Sequence, residues 1–327
     1  MTDPTPPQPA RTIPVRTAPP VPPARSGKPA PVTGPWRPSM LMVAPHRLAF
    51  WLAMLILVVA SGWWLLVQED RVHGWFGLGY AVSPTLTHAA AMVFGFMPLF
   101  FAGFLFTAGP NWLRVEPLPV PRLQWPLFLQ AGGWLLWLAG AHLQAGVALT
   151  GLALAWLGLA WMFMLYWQLV RASRAEDRMH AKSVGVGGIV GVLSLAGTGL
   201  AMLAGHDALA LVLVRTALWG FIVVVYVSVA HRMIPFFTSN VLPLIELWRP
   251  FWVLRLMLGV AAFEVLALWV DFFAPSQQAW PAWTVLVIAV ELAAGGVLLW
   301  LAVVWGLVQS LKIRLLAMLH VGFVWFG

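Results

Sequence analysis

The chain alternates long apolar runs with short polar or charged interruptions, starting near Leu48. The runs fall at about 48–67, 86–107, 126–144, 147–170, 183–204, 209–231, 251–273 and 284–308. Several exceed the roughly 18–20 residues that carry a helix across a bilayer core. This pattern predicts an all-α, polytopic transmembrane helical bundle with eight complete spans. A ninth run opens after Arg314, with only 13 residues left before the last position, Gly327. That is about 20 Å of helix against a core of ~30 Å. The ninth span is therefore expected to be incomplete, and a C-terminal part of the protein to lie beyond this sequence.

Ahead of the runs, residues 1–38 hold 13 of the 26 prolines, with Thr, Ala and scattered Arg and no apolar periodicity. Such a segment cannot bury a core and favours polyproline-II conformations. Residues 1–40 are expected to form a disordered Pro-rich cytoplasmic tail, and residues 41–327 the helical domain. No signal peptide is visible, because the first apolar run is already long enough to span.

Composition agrees with the pattern: 61% of residues are apolar and 9% charged, against roughly 25% charged in a soluble domain. The formal charge of +8 would suit a nucleic-acid partner only if it were gathered on one surface, and it is spread over tails and short loops. With the N-terminus in the cytoplasm, 17 of the 19 Lys and Arg fall on the inner side. Arg71 alone lies outside and Arg215 lies within a span, as the positive-inside rule requires. Trp63, Trp64, Trp125, Trp280 and Trp283 sit near predicted span ends, where interfacial aromatic anchors belong. The absence of cysteine removes disulfides, Fe–S clusters, thiolate metal sites and covalent haem attachment.

Ionisable groups at membrane depth are costly, so each is paired or functional. Val229–Thr238 places His231, Arg232 and Pro235 together where a span should be leaving the membrane. Pro235 lacks an N–H, which frees the carbonyl of His231 and makes a polar notch. This is either a helix terminus at the water boundary or one wall of a binding site. His46 and His320 fall at similar inner depth on two other spans. Three imidazoles on separate helices either assemble a metal or haem site, as bundle proteins do, or are separate boundary residues.

In the outer half stand Arg215, Glu264 and Glu291. They form an Arg–Glu structural bridge, line a proton or ion path, or use Arg215 to meet an anionic group such as a haem propionate. His88 and Met92 lie four apart on the second span, hence on one helical face, and a His/Met pair suits copper. Met is also a common core filler. Gly187-x-x-x-Gly191 predicts close helix packing. His73, His142, His180 and His206 fall in predicted loops or at span ends and are given no role. No nucleotide-binding, zinc-protease or nucleophile-elbow motif is present.

Four stretches resemble the NnrS family of bacterial membrane proteins. They are Ala44–Phe50, His88–Trp112 with its Gly-Phe-Leu-Phe-Thr-Ala-Gly-Pro-Asn-Trp, Val229–Asn240, and Leu319–Phe323. Together they extend the resemblance over about 41–327. It implies a multi-pass protein of the bacterial cytoplasmic membrane, with about twelve helices. It also implies non-covalent haem b and copper, and a link to nitric oxide metabolism and nitrosative stress. Many members carry His-x-His-Glu-Met where this chain has His88-Ala89-Ala90-Ala91-Met92, so only the first His and the Met persist.

The expectation is thus a haem- and copper-containing membrane protein that binds, senses or converts nitric oxide. His231 is the first axial candidate, with His320 or His46 opposite it or serving copper. Arg215 would be an electrostatic partner, and His88 with Met92 would hold metal. The alternatives are a cofactor-free transporter or channel using Arg215, Glu264 and Glu291, and an accessory protein that assembles another membrane complex.

Overall fold

Long apolar stretches must satisfy their own backbone in lipid, and helices do so within the segment. The computed structural model describes residues 37–242, 245–274 and 281–327, and every regular element among them is helical. The tail expected over residues 1–40 lies outside the described residues as far as 36. From Pro38 a short 3₁₀ helix (Pro38–Val43) leads into α1 (Pro45–His73). The others are α2 (Pro84–Leu113), α3 (Val120–Leu143), α4 (Ala145–Ala172), α5 (Met179–Leu203), α6 (Asp207–Val241), α7 (Phe251–Phe273), α8 (Pro281–Val304) and α9 (Arg314–Val324).

Seven of these are long and apolar enough to cross a membrane: α1, α2, α4, α5, α6, α7 and α8. The eight apolar runs expected from the sequence each fall on a helix, these seven and α3, which is not apolar enough to be counted with them. That helix has 24 residues, about 36 Å at 1.5 Å per residue, but is diluted by Gln, Gly, Trp and Pro. The expected incomplete ninth run forms α9, with 11 residues. Val58, Leu193, Leu200 and Leu292 point outward. Aliphatic surface of that extent suits lipid rather than water, and the protein is a polytopic helical membrane protein.

Sequential helices pack as neighbours from α3 to α9, while α2 lies against α1. Gly187 and Gly191 meet α6 as their spacing predicts, with Val224 and Phe221 lying where a Cβ would go. One core cluster joins α1 to α6. A second is built by the later half of α6 with α7, α8 and α9. Helix α6 belongs to both, so it ties the two halves together.

Two helices contain π-helical stretches, Ala91–Phe96 in α2 and Leu218–Val223 in α6. Such stretches bond i→i+5 and change the helix phase. Buried Gln130 donates from Nε2 to the Phe94 carbonyl inside the first stretch. Just before it, Trp137 Nε1 donates to the Thr87 carbonyl at 3.2 Å.

Pro235 does not end α6, which continues to Val241. One missing donor weakens a helix without stopping it when tertiary contacts hold both sides, and Ile234, Pro235 and Thr238 are all buried. The 35 residues of α6 extend about 52 Å, more than the ~40–45 Å of a bilayer with its headgroups. The helix therefore reaches the headgroup zone at the end that carries His231.

Candidate functional site

That end of the bundle gathers the starts of α1, α5 and α7 with the ends of α2, α4 and α6, and it carries Arg171, Arg174, Arg178, Lys182 and Arg255. The segment between α4 and α5 is pinned there: Ser173 Oγ donates to the Leu113 carbonyl at 2.7 Å, and Arg178 Nη1 to the Ser173 carbonyl at 3.1 Å. This fixes Asp177 beside α6. Asp177 Oδ2 lies 3.7 Å from Arg232 Nη1 and 3.9 Å from His180 Nδ1. The Arg232 guanidinium also lies over the Trp112 ring, 5.2 Å from its centroid.

His231 is wholly buried and uses both ring nitrogens. Nε2 is 3.1 Å from the Pro250 carbonyl, and Nδ1 is 2.9 Å from His180 Nε2. A carbonyl can only accept, so His231 carries its proton on Nε2 and accepts at Nδ1. His180 then donates from Nε2, which leaves its Nδ1 as a bare lone pair. That atom is buried with no hydrogen-bond partner.

The same logic holds at His320. Thr238 Oγ1 donates to the Ile234 carbonyl at 2.8 Å and lies 2.9 Å from His320 Nε2. The hydroxyl has one proton, already used, so His320 Nε2 donates to it. His320 Nδ1 is left bare, buried and unpartnered. Trp305 links His231 to α9: its ring meets His231 edge-on at 6.1 Å and Phe323 of α9 at 5.1 Å. Trp305 Nε1 and Ser310 Oγ are also buried without partners. Buried polar atoms normally find a partner, so the four orphans along this end of α6 call for an explanation; Tyr80, His88, Gln130 and Trp134 carry four more elsewhere in the bundle.

By contrast, His142 is satisfied on both sides, with Nδ1 2.9 Å from the Gly79 carbonyl and Nε2 accepting from Trp63 Nε1 at 2.6 Å. It is a structural histidine. His73 is exposed beside Glu69.

The structure brings His231 and His320 to one end, as their depth predicted, with Thr238 of α6 contacting His320. His46 is at that end too, half-buried, but its recorded polar contact is Thr107 Oγ1 at 3.4 Å from Nδ1. His180, given no role in the sequence, turns out to be His231's direct partner. Nothing in the local sequence marks it, since it follows charged residues at a helix start.

Arg215 is exposed, and among the described residues no ion pair joins it to Glu264 or Glu291. The two glutamates line one cavity of about 220 Å³ with Trp219 and Val223 of α6. Arg215 lies just before the π-helical stretch that begins at Leu218 and includes Trp219 and Val223, and it does not line the glutamate cavity.

His88 lies flat on Trp64, with ring centroids 4.2 Å apart and planes at 14°. Met92 packs against the main core. Met92 stands inside the π-helical stretch that starts at Ala91, and His88 in the α-helical turn before it. Among the described residues, no three His, Asp or Glu side chains converge as a metal ion would need.

The four stretches singled out in the sequence touch one another or shared neighbours here. Phe50 lies against Gly103, His46 meets Thr107, Trp112 meets Arg232, and Thr238 meets His320. No curated protein and no solved structure matches the chain. The family model described as NnrS protein matches residues 40–327, and the chain belongs to that family.

Proposed function

We propose that this chain is a haem-binding protein of a bacterial cytoplasmic membrane, acting in the response to nitric oxide. The observation that carries this reading is that two buried, unpartnered imidazole nitrogens, His180 Nδ1 and His320 Nδ1, lie at one end of α6, whereas the third, His88 Nδ1, stands alone on α2. Haem iron takes four ligands from its porphyrin and needs only one or two from the protein. A donor set of isolated imidazoles therefore suits haem. Bound haem would supply an iron centre able to bind nitric oxide and exchange an electron.

The chain's own residues hold the ligands in the required protonation state. Thr238 fixes the His320 tautomer, and Pro250 fixes His180 through His231. A hydrogen bond on the far nitrogen is what orients metal-ligating histidines and raises their basicity. His231, the first axial candidate from sequence, is better placed to orient His180 than to bind iron itself. Copper held by protein side chains alone fits less well, because His88 and Met92 are not joined by further donors.

Visible spectroscopy and metal analysis of detergent-purified protein, expressed with ample haem, test this reading. A Soret band that is lost or shifted in His320→Ala or His180→Ala, and weakened in His231→Ala, is expected. Wild-type protein with no Soret band would overturn it.

One observation supports a second reading, an ion or proton transporter: Glu264 and Glu291 share a cavity. Arg215 does not line it, so the path would rest on the two carboxylates. Flux into proteoliposomes that persists in Glu264→Gln/Glu291→Gln protein would remove it.

A further inference from the structure

Helices α5 and α7 both pack on α6, and a groove of about 1020 Å³ opens between them. Its two ends differ in chemistry. At the cationic end it is lined by Arg178, Lys182 and Arg255, with Glu176 and Asp177 beside them. Three cations against two carboxylates leave this end net positive; Asp177 also lies 3.7 Å from Arg232, and Arg178 Nη1 reaches the Ser173 carbonyl. Farther in, the walls are Val186 and Val190 on one side and Leu258 and Val265 on the other, over Gly220 and Val224 of α6.

The length of this trough is informative. From Lys182 to Val190 is about 12 Å of helix and from Arg255 to Val265 about 15 Å. Each is close to half of a ~30 Å hydrocarbon core, the depth of one leaflet. The cations sit at the starts of α5 and α7, where a headgroup lies, and the apolar part runs toward the bilayer centre. The trough closes at Gly220, where a Cβ would come within 2.8 Å of Val190 Cγ1 and 3.5 Å of Val265 Cγ2, so both walls meet the floor there.

We propose that this groove is a binding site for a phospholipid with an anionic headgroup, drawn from the leaflet on the cationic side. Arg178, Lys182 and Arg255 would meet the phosphate and its anionic substituent. An acyl chain would lie along the valine and leucine walls. The occupant's charge follows from the three cations, and its shape from a trough that is polar at the interface and apolar for one leaflet.

The test uses the full chain, delipidated in detergent and then supplied with phosphatidylglycerol or phosphatidylcholine. Bound lipid is counted by native mass spectrometry, and thermal stability is followed in parallel. Phosphatidylglycerol is expected to bind more tightly and to raise Tm more. Each cation near an anionic headgroup contributes about five-fold in affinity. Lys182→Gln/Arg255→Gln should therefore weaken phosphatidylglycerol binding about 25-fold and remove the preference.

Ala262→Trp fills the trough from an exposed position on its wall and should block both lipids while the lipid-free Tm stays unchanged. Equal binding of the two lipids by the wild type overturns the proposal. So does preferential binding that survives both variants.

Discussion

The Thr238 hydroxyl accepts from His320 Nε2 at 2.9 Å because its own proton is committed to the Ile234 carbonyl at 2.8 Å. Both residues are wholly buried. This contact joins α6 to α9 and decides which nitrogen of His320 is free. Thr238→Val keeps the shape but strands a buried N–H, at a cost of about 1–3 kcal/mol. Thr238→Ser keeps the acceptor and should lie much closer to wild type. Thermal unfolding in detergent, with all three proteins compared, reads the difference. Equal Tm for the Val and Ser variants would show that the hydrogen bond does not matter.

The tightest helix pair is α3 with α4, where glycine is required by space. A Cβ at Gly140 would lie 2.2 Å from the Ala148 backbone nitrogen, while one at neighbouring Gly132 would meet nothing within 4 Å. Backbone cannot step aside as a flexible side chain can. Gly140→Ala is expected to destabilise by at least the roughly 1–3 kcal/mol typical of overpacking. Gly132→Ala should be neutral or slightly stabilising, since alanine is the better helix former. Yield of monodisperse protein and Tm together distinguish the two.

The helical bundle was legible because lipid demands it: apolar runs of spanning length have few other uses. Pro45, Pro84 and Pro281 each stand at a helix start, two or three residues ahead of the expected runs. Position along each helix was legible too, and the structure lays the end of α6 that carries His231 against the α9 segment that carries His320. Direction around each helix was not. Arg215 had the right depth to meet Glu264, but it faces outward while Glu264 lines a cavity with Trp219 and Val223. His180 was missed for a related reason. It begins α5 among charged residues and reads as a boundary residue until the end of α6 is laid beside it.

Arg215 yields a prediction opposite to the one its depth invited. With no ion partner within 4 Å among the described residues, Arg215→Gln breaks no ion pair and removes a charge that is costly within a span, so it should not lower Tm. Its effect should add to that of Glu264→Gln without coupling. A double-mutant cycle on detergent-solubilised protein measures this. Coupling above about 0.5 kcal/mol would mean that the two side chains meet after all.

Arg232 has two partners of different worth, and the geometry ranks them. Its contact with Asp177 is long, at 3.7 Å, and the Asp177 side chain is 38% exposed. Water screens such a pair, and exposed ion pairs contribute about 0–1 kcal/mol. Its contact with Trp112 sets the guanidinium over an indole face on the half-buried side, where a cation–π contact contributes about 0.5–2 kcal/mol. Paired cycles of Arg232→Met with Trp112→Leu and with Asp177→Asn should therefore give the larger coupling for tryptophan. Raising salt should reduce the aspartate coupling more than the tryptophan coupling, because screening acts first on the exposed charge. If aspartate dominates and resists salt, Asp177 is shielded in the membrane-embedded protein, and its contact with His180 gains weight in setting the state of the His180–His231 pair.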